Sequence, residues 1–202
     1  MSNVVFDEQS HTYTVDGVKL PSVTHIIRFL HYDTAVNAKP WLRDIAANRG
    51  SRIHAYTAML DYGEPLDELD IDFDCIGYVK AYRRFLEDYK PQWCGIETVL
   101  GNLELGYAGT CDRYGEVDGL KTILDIKTGS MVHGPSVAAQ IEGYWHLLHR
   151  EKGFSANNYA VLLLNKDGTY KYIDRLEDDF QILFDECLEI HKALNRKGVA
   201  IR

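Results

Sequence analysis

The residue types that could perform chemistry are concentrated between positions 109 and 144. Asp112 ends the sequence GTCD at 109–112, and Asp125 and Lys127 lie within LDIKTG at 124–129. Gln140 and Tyr144 follow, at the spacing of one helical turn. Two carboxylates and a lysine, next to a helix with two polar side chains, suit a divalent metal that must bind and hydrolyse a phosphodiester.

A hairpin is predicted to position the two aspartates. Asp118-Gly119 is a strong two-residue turn signal between two segments that read as strands. If these residues form the turn, Asp112 and Asp125 lie directly opposite each other, with Cβ atoms about 4.5–5.5 Å apart. Their like charges would repel, and a divalent cation between them would turn that repulsion into binding energy. Lys127 lies on the same strand face as Asp125, whereas a bulge at Gly115 would shift the register.

Each of these features also has a structural interpretation, which is the more common one when the feature occurs alone. An Asp-x-Lys pair on a strand is usually a solvated edge pair, and an isolated Gly-x-x-Asp is usually a turn. Gln140 and Tyr144 would then be a surface residue and a core residue. The order and spacing of all these residues within one segment favour the functional interpretation.

The composition indicates a packed globular protein without a membrane span. Of the 202 residues, 46% are hydrophobic, which is enough for one sizeable domain. No apolar run reaches the roughly 18 residues that a membrane span needs. The net charge of −8 counts against a protein that coats nucleic acid, because non-specific affinity comes from phosphate neutralisation. It is compatible with an enzyme whose basic residues are localised.

The cysteines and the start of the chain indicate the compartment. The cysteines at 75, 94, 111 and 187 form no Cys-x-x-Cys pair, which argues against a zinc or iron–sulfur site. The first residues are polar and acidic, so we predict no signal peptide. Reduced thiols in a cytoplasmic protein are therefore expected.

Apolar periodicity and turn signals predict an α/β protein with an N-terminal helical extension. From residue 73 onward the order is helix, three strands, helix, strand. We predict one domain, with an N-terminal hairpin and helices over 1–72, a core over 73–174 and a C-terminal helix over 175–202. The predicted elements are a hairpin over 4–20 that turns at Asp16-Gly17, a short helix over 22–30, a helical region over 39–61 interrupted near Gly50, an acidic loop over 63–72, helices over 73–89, 135–150 and 177–195, and strands over 93–100, 104–112, 120–127, 158–164 and 169–173.

At this point the chain resembles the PD-(D/E)XK nuclease superfamily, specifically its RecB-like branch, which includes phage exonucleases. The predicted order matches the restriction-endonuclease-like core, α-β-β-β-α-β, a mixed sheet flanked by helices. The resemblance covers about residues 6–174. The motifs that carry it are YAGTCD ending at Asp112, ILDIKTG with Asp125 and Lys127, QIEGY from Gln140 to Tyr144, and RGSRIH ending at His54.

The resemblance implies a divalent-metal-dependent DNA nuclease. The residues in catalytic positions are Asp112, Asp125, Lys127, Gln140, Tyr144 and, on the preceding strand, Glu97. The implied ligands of one or two Mg²⁺ or Mn²⁺ ions are His54, Asp112, Asp125 and the main-chain carbonyl of Ile126. Oxygen ligands suit hard cations, and the added imidazole makes Mn²⁺ competitive. The implied DNA-binding residues, beside His54, are Arg49 and Arg52.

The resemblance also bears on cofactors and partners. Iron–sulfur members of the branch carry three cysteines near the C-terminus, where this chain has only Cys187, so no cluster is expected. An exonuclease is favoured over an endonuclease, acting on DNA in recombination, repair or processing. A single-strand-annealing protein is a candidate partner, homo-oligomer formation stays open, and no membrane association is expected.

Two other functions stay open at this stage. An inactive nuclease-like fold could serve as a DNA-binding module or scaffold, which the net charge favours. The intact set of His54, Asp112, Asp125 and Lys127 argues against it. A metal-dependent hydrolase could also act on RNA or a small phosphodiester, and only the resemblance argues against that alternative.

Overall fold

The computed structural model describes residues 3–31, 39–129, 134–176 and 182–197, which form eight strands and five α-helices. The strands are β1 (Val4–Asp7), β2 (Thr12–Val15), β3 (Val18–Leu20), β4 (Gln92–Asn102), β5 (Tyr107–Val117), β6 (Leu120–Lys127), β7 (Asn158–Leu164) and β8 (Tyr170–Ile173). The helices are α1 (Val23–Ile26), α2 (Pro40–Asp61), α3 (Ile76–Tyr89), α4 (Gly134–Lys152) and α5 (Ile182–Arg196), with 3₁₀ turns at Arg28–His31 and Glu68–Asp70.

The main sheet has the strand order β4-β5-β6-β7-β8. Its neighbours pair antiparallel except β6 and β7, which run parallel because α4 connects them as a crossover. Helix α3, strands β4 to β6, helix α4 and strand β7 follow one another along the chain. This is the order of a restriction-endonuclease-like core, so the predicted fold class is confirmed.

Helices cover both faces of the main sheet. Alternation along the buried strands sorts the side chains between two cores: Ile123 and Val161 pack with α1, α4 and α5, whereas Leu124, Ile126 and Leu162 pack with α2 and α3. The near-continuous apolar run of β7 is explained by burial on both faces. Helices α2 and α4 therefore approach the central strands from opposite sides.

The β5–β6 hairpin forms at the predicted turn. Asp118-Gly119 adopts left-handed backbone angles, with φ of 52° and 75°, as a tight two-residue turn requires. The strand register is the predicted one as far as the pair Arg113 and Leu124, and Gly115 introduces no shift. The register shift of this region lies instead in the neighbouring β4–β5 pair, at residues 93–95.

Several predicted elements are wrong in detail. The predicted hairpin over 4–20 is a three-stranded sheet, in which Asp16-Gly17 forms the predicted turn, between β2 and β3. Helix α2 continues through Gly50, because one helical glycine costs only about 1 kcal/mol, which the packing of a long helix offsets. Residues 177–181 of the predicted final helix lie outside the described residues.

Two further findings concern the helices and the thiols. No helix in the described ranges combines the length and the apolar character that a membrane crossing requires. The four cysteines are free thiols, of which Cys94 is exposed and the other three are buried.

Candidate active site

Two carboxylates of the site lie on β4 and β5, where the alternation of side chains breaks. On β5, Cys111 packs into the core on the α4 side and Arg113 points toward α2, so the alternation changes at Asp112. Glu97 lies opposite Asp112 on β4 and has a left-handed φ of 41° in mid-strand. For a residue with a side chain such a conformation costs about 1–3 kcal/mol. This strained backbone lets the Glu97 carboxylate reach His54.

His54, on α2, is surrounded by oxygen atoms. Its Nδ1 lies 3.1 Å from Glu97 Oε1 and 3.6 Å from Asp112 Oδ1, and its Nε2 lies 3.2 Å from the carbonyl oxygen of Ile126. Ligand atoms of His54, Glu97 and Asp112 all lie within 4.8 Å of one another. The structure thus gathers one imidazole and two carboxylates into a group that could hold a metal ion.

The crowded carboxylates favour proton uptake by two members of this group, His54 and Asp112. Burial alone would lower the pKa of His54, but Asp112, Glu97 and Asp125 outweigh it and raise the pKa to about 9. Burial raises the pKa of Asp112 to about 6, with the neighbouring carboxylates adding to the effect and His54 opposing it. Both ring nitrogens of His54 face acceptors, which suits an imidazolium that donates two hydrogen bonds.

A buried guanidinium, which the sequence did not suggest as part of the site, supports the carboxylates. Arg113 is fully buried, and its Nε donates to Asp61 Oδ2 at 2.6 Å. Its terminal nitrogens donate to Glu97 Oε1 at 2.8 Å, to the main-chain oxygen of Asp112 at 2.6 Å and to Thr57 Oγ1 at 3.0 Å. Burial acts to raise the pKa of Glu97, but His54 and Arg113 outweigh it and hold that pKa below its usual value.

One signal in the sequence indicates that Arg113 belongs to a buried polar site. It is a charged residue inside a strand whose neighbours are buried, and a buried arginine needs a carboxylate partner. Which carboxylate serves as that partner depends on how α2 docks, because Asp61 is 52 residues away along the chain.

The side chains on the α4 side form a closed chain of hydrogen bonds. Lys127 Nζ lies 2.8 Å from Asp125 Oδ2 and donates to Gln140 Oε1 at 3.1 Å. Gln140 Nε2 donates to Asp125 Oδ1 at 2.8 Å and to the Tyr144 hydroxyl at 3.2 Å. Burial acts to lower the pKa of Lys127, but Asp125 and Asp112 outweigh it and raise that pKa. The lysine is therefore held as a cation.

Asp112 connects the two sides of the site. Its Oδ2 accepts a hydrogen bond of 2.7 Å from the main-chain N–H of Ile126, while its Oδ1 faces His54. The β5–β6 ladder ends at Arg113 and Leu124, one pair before Asp112 and Asp125 would meet. The predicted cross-strand pairing of Asp112 with Asp125 is therefore wrong. The Asp112 side chain contacts the backbone of Ile126 instead.

Glycines in two of the motifs make room for aromatic rings. A Cβ on Gly109 would lie 2.9 Å from the ring of Tyr144 and 3.3 Å from Val23. A Cβ on Gly143 would lie 2.7 Å from the ring of Phe184. The distances to Tyr144 and Phe184 are shorter than normal carbon contacts, so Gly109 lets the Tyr144 ring of α4 lie against β5, and Gly143 lets Phe184 of α5 pack against α4.

The two arginines expected to bind DNA are not free in the structure. Arg52 forms ion pairs with Asp72 at 2.6 Å and Asp74 at 2.9 Å. The guanidinium of Arg49 lies over the ring of Tyr78, with its carbon 5.5 Å from the ring centre. The compact ligand group also contains Glu97 rather than Asp125, whose carboxylate is occupied by Lys127 and Gln140.

Comparison with known proteins gives a limited result. No family model matches the chain. No curated protein matches it either. Among solved structures, the chain is similar to a crystal structure of LHK-Exo in complex with dAMP, with 10% sequence identity and a TM-score of 0.48 over 89% of each chain. At this identity and TM-score, the likeness assigns neither an activity nor a ligand to this chain.

Proposed function

We propose that this protein is a divalent-metal-dependent nuclease that hydrolyses phosphodiester bonds in DNA. The observation that carries the proposal is the group of His54, Glu97 and Asp112, whose ligand atoms lie within 4.8 Å of one another beside Lys127. Within this proposal, an exonuclease of the phage type is favoured over an endonuclease. Its setting would be DNA recombination, repair or processing in the cytoplasm, with a single-strand-annealing protein as partner.

The donor set fits Mg²⁺ or Mn²⁺. Carboxylate oxygens of Glu97 and Asp112 and the carbonyl oxygen of Ile126 are hard ligands, and the His54 imidazole adds a nitrogen that Mn²⁺ accepts readily. Asp125 lies next to this group and could contribute if Lys127 moves. A bound ion would supply a water of lowered pKa and would neutralise charge on the phosphoryl group.

The chain's own residues then have distinct roles. Lys127, held as a cation between Asp125 and Gln140, would orient the attacking water and offset the negative charge that develops on the phosphate. Gln140 fixes the Asp125 carboxylate, and Tyr144 fixes Gln140 through its hydroxyl. Because burial keeps the pKa of Tyr144 well above its usual value, this phenol stays neutral and acts as a hydrogen-bonding partner only.

Substrate phosphates would meet Arg49 more readily than Arg52. Apart from its contact with the Tyr78 ring, Arg49 forms no ion pair with the described residues, so its guanidinium retains capacity for a phosphate. Arg52 already binds two aspartates, which would have to release it first.

A second candidate function is an inactive nuclease fold that binds DNA or serves as a scaffold. The observation that favours it is the neutralisation of Arg52 by Asp72 and Asp74, together with the net charge of −8. Both features reduce the attraction of a DNA strand. The two functions differ in whether metal and Lys127 are needed for any measurable chemistry.

The test is digestion of end-labelled linear DNA and covalently closed circular DNA with Mg²⁺, with Mn²⁺ and with EDTA. Lys127→Ala removes the cation, and Lys121→Ala is the matched control because Lys121 is an exposed lysine of the same strand. We expect metal-dependent loss of linear DNA only, a reduction of about 10²–10³-fold in Lys127→Ala, and normal activity in Lys121→Ala.

Other outcomes separate the alternatives. Cutting of the circle would make the enzyme an endonuclease. DNA binding without cleavage under either metal would favour the inactive scaffold. Circular dichroism of Lys127→Ala shows whether lost activity reflects lost chemistry or lost folding.

A further inference from the structure

One surface segment exposes large apolar side chains although its backbone is well fixed. We call it the acidic knob: residues 64–74, between α2 and α3. Leu69 is 98% exposed and Phe73 is 90% exposed. Large apolar side chains exposed within one short segment, among charged residues, are typical of an interaction surface.

The acidic knob is pre-organised rather than loose. Leu66 and Ile71 are buried and anchor it to the core shared by α2 and α3. A 3₁₀ turn closes it, with main-chain bonds from Asp70 to Asp67 and from Ile71 to Glu68. The hydroxyl of Tyr56 donates to the Asp72 carboxylate at 3.0 Å. Because the segment is already ordered, docking it on a partner costs little conformational entropy.

The charge of the acidic knob specifies the chemistry of its partner. Glu68 pairs with Lys80, while Asp72 and Asp74 pair with Arg52. In the described part of the chain, Glu64, Asp67 and Asp70 have no cation within ion-pair distance. A matching surface must therefore combine apolar side chains with unpaired basic ones.

The first turns of α2 have this complementary chemistry. We call this segment the basic end of α2: residues 39–45. Trp41, Leu42 and Ile45 are 55%, 45% and 51% exposed. Lys39 and Arg43 are exposed as well, and Asp44 is the single acid among these residues. The two aliphatic side chains fit an apolar protein surface better than a nucleic-acid backbone, which is read by charge and stacking.

The two surfaces are exposed at the same time in one chain, so they do not satisfy each other within it. We propose that the acidic knob of one copy docks on the basic end of α2 of a second copy, and that the protein self-associates through this contact. Leu69 and Phe73 would pack against Trp41, Leu42 and Ile45, and Asp67 and Asp70 would face Lys39 and Arg43. The contact does not depend on the proposed nuclease activity.

The experiment is the molar mass in solution, measured by light scattering and by sedimentation over a range of concentrations. We expect the wild-type protein to self-associate. Leu69→Glu on the knob and Ile45→Glu on the helix should each weaken association by about tenfold or more. Leu103→Glu is the matched control, because Leu103 is an apolar residue 44% exposed elsewhere on the surface, and it should leave the mass unchanged. Leu69 is 98% exposed but Ile45 and Leu103 are about half exposed, so circular dichroism of each variant checks that the fold is retained.

Mixing and charge exchange test the pairing itself. A mixture of Leu69→Glu and Ile45→Glu retains one intact knob and one intact helix end, so it should form a one-to-one complex at concentrations where each variant alone is monomeric. Arg43→Asp and Asp67→Arg should each weaken association, and the double variant should recover it.

Three results would overturn the proposal. One is a wild-type protein that stays monomeric at the highest concentration. Another is an assembly that neither Leu69→Glu nor Ile45→Glu weakens. The third is a monomer whose DNA binding is lost in Ile45→Glu and Arg43→Asp, which would make nucleic acid the occupant of the basic end.

Discussion

The two halves of the candidate active site balance their charges in different ways. The α2 half, with His54, Glu97, Asp112 and Arg113, crowds carboxylates around a histidine whose pKa is raised to about 9. The α4 half has one carboxylate and one ammonium, which Gln140 and Tyr144 complete as a closed hydrogen-bond chain. A proton that balances charge can be exchanged for a metal ion, whereas a closed hydrogen-bond chain is suited to holding one geometry. We therefore propose that the α2 half binds the cation and that the α4 half positions Lys127.

The largest expected effect is on stability and comes from replacing Arg113, the buried cation of the α2 half. Arg113→Met would leave the Asp61 and Glu97 carboxylates without their buried partner, so the free energy of unfolding should fall by about 3–5 kcal/mol. Chemical denaturation measures the change. Arg52→Met is the control, because its ion pairs are exposed to solvent and should contribute far less to stability. Equal losses in the two variants would show that Arg113 is not a special support of the site.

Removing one polar side chain from each half should separate binding from positioning. Glu97→Gln removes a proposed ligand and should weaken Mn²⁺ affinity by about tenfold or more, as measured by calorimetry. Gln140→Ala should leave Mn²⁺ affinity nearly unchanged while reducing hydrolysis, because Lys127 and Asp125 lose their common partner. If Gln140→Ala weakened Mn²⁺ binding as much as Glu97→Gln, the division between the halves would be incorrect.

Metal binding should depend on pH through the α2 half. His54, with a pKa of about 9, is protonated at neutral pH in the metal-free protein and must lose its proton to bind a metal. Mn²⁺ affinity should therefore rise about tenfold per pH unit between pH 6.5 and 9 and level off above that. Proton release, measured by calorimetry in buffers of different ionisation enthalpy, checks the mechanism. A pH-independent affinity over this range would rule out His54 as a ligand.

His54 and Asp112 also set the direction in which the stability of the metal-free protein changes with pH. The pKa of His54 is raised from its ordinary value of 6.5 to about 9 in the folded state. Its contribution to the free energy of unfolding is therefore complete below pH 6.5 and is lost as the pH rises through about 9. Asp112 is raised from 3.8 to about 6, so its contribution is lost over that lower range. Glu97, whose pKa is lowered from 4.5, acts in the opposite direction only at lower pH. In EDTA, the free energy of unfolding should consequently decrease from about pH 5 to pH 9.

The smallest expected effects are changes in stability that report how closely α2 and α4 are packed. A Cβ on Gly50 of α2 would have as its nearest described neighbour Thr128 Oγ1 at 3.8 Å, so Gly50→Ala should stabilise the protein by up to about 1 kcal/mol. A Cβ on Gly143 of α4 would lie 2.7 Å from the Phe184 ring, so Gly143→Ala should destabilise it. Thermal melting of both variants measures the contrast. Destabilisation by Gly50→Ala would mean that this face of α2 is closely packed.

Local signals predicted the α4 half of the site well. The register of β5 and β6 follows from the Asp118-Gly119 turn, because a two-residue hairpin leaves no freedom in pairing. The pair Gln140 and Tyr144 follows from helical spacing, and both reach the same hydrogen-bond chain. The bounds of β7 were also predicted correctly, because Asn158 is followed by six consecutive aromatic or aliphatic residues before the next turn signal, which fits a strand buried on both faces.

The α2 half could not be derived from local signals. Its partners are far apart in sequence, since Arg113 and Asp61 meet only when α2 docks on the sheet. The left-handed φ of Glu97 breaks the alternation of β4, which no period-two pattern predicts. Arg52 is predicted to bind DNA and residues 63–72 to form an acidic loop, and neither prediction reveals that Asp72 and Asp74 pair with this arginine.

The short turn at Asp118-Gly119 has a consequence for the order of folding. A two-residue hairpin closes within about 1–10 µs, so Asp112 and Asp125 approach each other early. His54 is separated from Ile126 by 72 residues and closes the site only after α2 docks, because long loops are slow to close. A bound metal ion would then stabilise only the state in which α2 is docked, and it would suppress local opening of α2. We expect Mn²⁺ to slow amide hydrogen exchange in α2 more than in the turn between β5 and β6, and equal slowing would contradict late docking of α2.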